Sequence, residues 1–141
     1  MKNIIFTICA FIFSTIIHAQ TIFGKWENRD EETGEINSIV EVYEKNGKAY
    51  AKIVEITEEI RRDDLCIKCE GENKNKPILG MDILTGLSKD GKEWTNGEIL
   101  DPKKGKIYDC TISLQGKNKL KIRGYLGVSF LGRTVYWNRQ Q

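Results

Sequence analysis

The chain has 141 residues, with 22 Lys and Arg against 20 Asp and Glu, a length that supports one domain of ordinary size. Charge is nearly balanced and no basic run exceeds two residues, which argues against a nucleic-acid binder, since displacing counterions needs a one-sided excess of Lys and Arg. The single histidine, His18, lies in an N-terminal export segment, so the rest of the chain has no imidazole for nucleophilic pairs, metal ligation or acid–base work.

Residues 1–19 have the three-part layout of a secretory signal peptide. Met1-Lys2-Asn3 is a short positive start, Ile4 to Ile17 is apolar, and Ile17-His18-Ala19 places a small residue at the cut before Gln20. A membrane span needs about 18 or more apolar residues, and this run is shorter. Cleavage leaves 20–141 as a single domain of 122 residues in the periplasm or outside the cell.

From Gly24 onward, short stretches rich in Val, Ile, Tyr, Trp and Thr alternate with turn residues, and no 3.6-residue apolar period is sustained. Gly24 to Asn28 is the first predicted strand. Ile36 to Lys45 and Lys48 to Thr57 flank Asn46-Gly47, a strong hairpin signal because both positions need positive φ. Pro77 opens a strand from Ile78 to Leu87, and Asp90-Gly91 turns it into Glu93 to Leu100. Asp101-Pro102-Lys103-Lys104-Gly105 reads as a type I turn closed by a left-handed Gly. Lys106 to Leu114, Lys119 to Tyr125 and Gly132 to Arg139 complete eight strands. A meander of this kind removes its exposed edges by closing into an eight-stranded antiparallel up-and-down barrel. Apolar groups on both faces, such as Val40 and Val42 against Ile39 and Tyr43, also fit a two-sheet sandwich.

The stretch 58–76 stands apart, with paired charges at Glu58-Glu59, Arg61-Arg62 and Asp63-Asp64. Connections longer than about 12 to 15 residues are uncommon in compact domains. The plain reading is a solvated surface loop. It holds Cys66 and Cys69, which in an oxidising compartment are most simply a local disulfide, with pairing to Cys110 the second choice. A thioredoxin-like site would need a βαβ setting, which is not visible. Zinc would need a carboxylate fourth ligand, so no metal and no cofactor is expected. Cys110 alternates with Tyr108 and Ile112 and reads as a buried, inert thiol.

Tyr and Trp suit a lumen that is part dry and part wet. In an even-numbered meander, the start of strand one and the end of strand eight share a rim. Arg139 then reaches the Trp26 ring and plugs that end by a cation–π contact of about 0.5 to 2 kcal/mol. Arg133 begins the last strand at the opposite rim. In strand seven, Lys121, Arg123 and Tyr125 alternate with Leu120, Ile122 and Gly124. Either set faces inward, and if the first does, Arg123 needs a buried partner. Val128-Ser129-Phe130-Leu131 is an apolar turn that reads as a plug for one end.

Gly24-Lys25-Trp26 is followed by Trp94-x-x-Gly97-x-Ile99-x-Asp101-Pro102-x-x-Gly105-Lys106-x-Tyr108. A third block runs Leu120-x-Ile122-Arg123-Gly124-Tyr125-x-Gly127, then Leu131-Gly132-Arg133-x-x-x-Trp137-x-Arg139. Together these resemble the DUF2147 family of exported bacterial proteins, across nearly all of the chain after the signal. The resemblance implies an envelope protein with a lipocalin-like (calycin) β-barrel and brings no activity with it. The Gly-x-Trp start with a late Arg is similar to the lipocalin signature, which implies that Gly24, Trp26 and Arg139 close the barrel. Asn96 stands where the family's Trp-x-Gly-Gly block has a second Gly.

The expected function is non-catalytic binding of a small apolar or amphiphilic ligand, because an eight-stranded barrel is just wide enough to hold one small molecule or to be filled by its own side chains. Tyr50, Trp94, Tyr108, Arg123, Tyr125 and Trp137 are the candidate lining. The alternative is a structural or protein-interaction module of the envelope that works through its outer face or the 58–76 loop. Paired acids such as Glu58/Glu59 and Asp63/Asp64 form no opposing carboxylate pair by spacing and are expected to face solvent.

Overall fold

The structure is a computed structural model that describes residues 20–127 and 131–141. The signal-peptide reading of residues 1–19, and positions 128–130 of the apolar turn, lie outside the described residues. Eight strands form: β1 (Gly24–Arg29), β2 (Ile36–Lys45), β3 (Lys48–Ile56), β4 (Asp82–Asp90), β5 (Glu93–Asp101), β6 (Lys106–Leu114), β7 (Lys119–Tyr125) and β8 (Gly132–Arg139). Each pairs with the next, and β8 returns antiparallel to β1, so the sheet is a closed barrel in sequence order and not a sandwich.

Local chemistry sets the turns. Asn46 and Gly47 both have positive φ, 53° and 76°, as the tight β2–β3 hairpin requires. At the β5–β6 turn the Asp101 carboxylate accepts the Lys103 amide at 3.0 Å and the Lys104 amide at 3.3 Å, while the Gly105 amide donates to the Asp101 carbonyl at 2.8 Å. Gly105 has a φ of +66°, and a Cβ there would lie 2.0 Å from the Lys68 carbonyl oxygen. Glycine thus both closes the turn and lets the β3–β4 connection lie against it.

Strand four begins later than the apolar run implies. Met81 donates its amide to the Ile78 carbonyl at 3.1 Å, and Gly80 sits at a φ of +87°. Ile78 to Met81 is therefore a turn, and pairing starts at Asp82. Asn96, at a φ of +60°, takes the left-handed conformation that Asn tolerates best among side-chain-bearing residues. It marks an irregularity in β5–β6 pairing between Trp94 and Gly97.

Pairing register places Ala51 opposite Val42, Gly97 opposite Cys110, and Ile122 opposite Ile112. Successive side chains on a strand alternate faces, so these positions share the interior. The main core gathers Trp26, Val40, Ala49, Leu84, Leu87, Leu120 and others within the barrel. A smaller core of Cys66, Cys69, Met81 and Leu100 lies under the β3–β4 connection. That connection is not wholly solvated as expected. Its charges are exposed, but Cys66 and Cys69 are disulfide-bonded and buried, and two single-turn 3₁₀ helices, Glu59–Arg61 and Gly71–Asn73, shape it.

Candidate functional site

The two ends of the barrel differ. At one, Trp26 is fully buried and donates its indole N–H to the Ile22 carbonyl at 2.8 Å. Arg139 is the direct cross-strand partner of Trp26, and its guanidinium lies 4.2 Å from the ring centroid. The same guanidinium donates to the carbonyls of Lys117 (2.9 Å), Phe23 (3.1 Å) and Thr21 (2.8 Å). A Cβ at Gly24, where φ is +122°, would come within 3.3 Å of it. Phe23 packs edge-on against Trp94 with ring centroids 5.6 Å apart. Aromatic rings and a satisfied cation fill this end.

At the other end a cavity of about 770 Å³ opens, within the range of small-molecule sites. Its walls are apolar: Ile53, Ile83, Ile99, Ile122, Val135 and Trp137 line it, and Tyr108 and Ser38 add hydroxyls. Gly124 also lines it, and a Cβ there would make only ordinary contact, 3.6 Å from Ile99 Cγ2 and 3.8 Å from Tyr108 Cβ. Its missing side chain leaves room in the wall. The mouth is charged, framed by Asp30, Glu31 and Glu32 of the β1–β2 connection, Glu58 and Arg61 of the β3–β4 connection, and Lys103 and Lys104 of the β5–β6 turn. Arg133 at the start of β8 pairs there with Glu31.

Of the six candidate lining residues, Tyr108, Tyr125 and Trp137 border this cavity, Trp137 buried and Tyr125 at the rim. Three do not, two because of register and one because of its position along the barrel. Tyr50 sits opposite Tyr43 on the outer face, its ring stacked on Tyr43 at 5.8 Å with the Lys45 ammonium 6.0 Å from its centroid. Arg123 pairs with Thr111 on the outer face and donates to the Thr134 hydroxyl at 3.2 Å. Trp94 belongs to the closed end. Leu131 is exposed at the cavity mouth and does not plug it. The lining is mainly aliphatic, and aromatic type alone does not report which face of a strand a residue occupies. The signal lay in the alternation of Cys110 and Ile112 across from Ile122 and Gly124.

Burial pushes the Cys110 thiol up to about 12. Tyr43 is likewise raised to about 12, first by burial and then by the hydrogen bond it donates to Asp82 at 2.6 Å. Asp30 is held below the usual carboxylate range by the Thr33 and Glu32 amides it accepts. Among the described residues, no helix is long and apolar enough to cross a membrane.

Residues 24–139 match a family described as "Uncharacterized protein conserved in bacteria (DUF2147)". The chain belongs to the DUF2147 family. Among solved structures, protein HP1028 from the human pathogen Helicobacter pylori, described as belonging to the lipocalin family, is similar to this DUF2147 chain at 19% identity. The likeness covers 87% of this chain and 85% of that one with a TM-score of 0.76, and at that identity it shows the shared lipocalin-like fold alone. No curated protein matches the chain.

Proposed function

We propose that this DUF2147 protein is an exported, non-catalytic carrier that holds one slim apolar or amphiphilic molecule in the open end of its barrel. The observation that carries the reading is the cavity of about 770 Å³, walled by branched aliphatic side chains and rimmed by charge. An apolar wall takes a chain and a wet rim takes a polar group, so the pocket suits a molecule with one of each. Export accords with the apolar stretch from Ile4 to Ile17 and with a Cys66–Cys69 disulfide, which persists in oxidising compartments. The fold by itself assigns no activity.

Calorimetric titration with saturated fatty acids of increasing length tests this. One site per chain is expected, with affinity rising roughly fourfold per added methylene until the cavity is full, as about 0.8 kcal/mol per buried CH₂ implies. Absence of saturable binding at every length would remove the proposal.

A further inference from the structure

The two buried tryptophans are served differently. Trp26 donates its indole N–H to the Ile22 carbonyl at 2.8 Å. Trp137 is only 2% exposed, yet its indole N–H meets no acceptor among the described residues, where a buried Trp usually finds one. Every side-chain N or O sealed from solvent among the described residues has a partner. The Trp137 N–H is therefore not sealed, and the space that Trp137 borders is the cavity.

More polar groups stand beside it. Across the β1–β8 seam Trp26 faces Arg139 and Glu27 faces Asn138, so the next position along the seam brings Asn28 beside Trp137. Asn28 is in turn the direct partner of Ser38 on β2, and its amide nitrogen donates to the Ser38 hydroxyl at 3.5 Å. That leaves the Asn28 carbonyl oxygen and the Ser38 hydroxyl proton with no partner among the described residues. All three residues line the cavity, in a wall that is otherwise mainly aliphatic. The patch carries no charge: Arg29, next along β1, directs its guanidinium to the Glu27 carboxylate and the Gly34 carbonyl. A purely apolar chain filling the cavity would cover these groups without bonding them, which is unfavourable.

Resting on the carrier reading, we propose that Trp137, Asn28 and Ser38 form a hydrogen-bonding subsite inside the barrel for an uncharged hydroxyl on the ligand's chain. A hydroxyl accepts from the Trp137 indole and donates to the Asn28 carbonyl oxygen, so it completes both. A carboxylate has no proton to give Asn28 and would lie there beside no cation. The ligand is then a hydroxylated chain with its head at the rim.

The test is displacement of a fluorescent fatty-acid probe by dodecanoate and by dodecanoates that carry one hydroxyl near the head, at mid-chain or at the far end. In a wholly apolar pocket an added hydroxyl weakens binding by roughly tenfold or more. Wild-type protein is expected instead to bind at least one hydroxylated isomer about three- to tenfold tighter than dodecanoate. That preference should disappear in Trp137→Phe and in Asn28→Leu. The ratio of the two affinities is the readout, so any general change in the altered cavity cancels. Circular dichroism checks that each barrel is intact, and two substitutions on separate strands keep the test decisive should one fail to fold. Dodecanoate that binds wild-type protein at least as tightly as every hydroxylated isomer, or a hydroxyl preference that persists in both variants, overturns the subsite and leaves the cavity reading standing. Absence of saturable displacement by every competitor overturns both.

Discussion

At the Trp26 end, Arg139 donates three hydrogen bonds to backbone carbonyls while covering a fully buried indole. The cavity opening at the opposite end reaches in as far as Trp137, and most of its charged groups sit on connections between strands. The same sheet builds both, and the difference comes from what the strands place inside. Large rings and a cation fill one end. Branched aliphatics and Gly124 leave the other hollow. Closure and binding are thereby separated along the barrel axis, so each can be altered with limited effect on the other.

The most severe way to break that separation is Trp26→Ala, which empties the filled end and should cost about 3–5 kcal/mol in urea unfolding. A loss under 1 kcal/mol would mean that the closed end does not hold the barrel together. Gly124→Leu sharpens the contrast from the other side. Its Cβ has ordinary space, so the barrel should persist by circular dichroism while fatty-acid affinity falls at least about tenfold as the side chain occupies the cavity. Gly105→Ala should drive a Cβ into the Lys68 carbonyl and lift the β3–β4 connection from the β5–β6 turn. Limited proteolysis should then cut within residues 58–76 much faster than in wild type.

The barrel interior also predicts an alkaline response. An unfolded thiol ionises near 9, and Cys110 is pushed up to about 12. Between those values the unfolded chain binds fewer protons than the folded one. Stability present below pH 9 should therefore decline toward pH 12, by roughly 4 kcal/mol at the most. Cys110→Ala should flatten that decline, measured as urea midpoints across the range. The smallest effect belongs to the mouth: Glu31→Gln removes an exposed ion pair with Arg133 and should change stability by less than about 1 kcal/mol, and less still in high salt.

Much of the fold was legible because strand chemistry and turn chemistry agree locally. Asn46-Gly47, Asp101 to Gly105 and the bounds of β2, β6, β7 and β8 all follow from residues within a few positions of one another. Strand four was misplaced at its start because Ile78 and Leu79 look like a strand opening. Only the packing of the β3–β4 connection against Gly105 and Met81 shows them to be part of a turn. The cavity was less legible. Tyr50 and Arg123 belong to the outer face by register, where Lys45 and Thr134 satisfy them. Register is a long-range property that a sequence expresses only through which alternating set is buried.

Quenching of Trp137 fluorescence by a fatty acid brominated along its chain tests the central claim most directly, because Trp137 borders the cavity while Trp26 and Trp94 lie at the filled end. Saturable quenching in wild-type protein that disappears in Trp137→Phe, with binding retained, is the expected result. Quenching that persists undiminished in Trp137→Phe, or binding that quenches nothing, would place the chain outside the barrel and contradict the account.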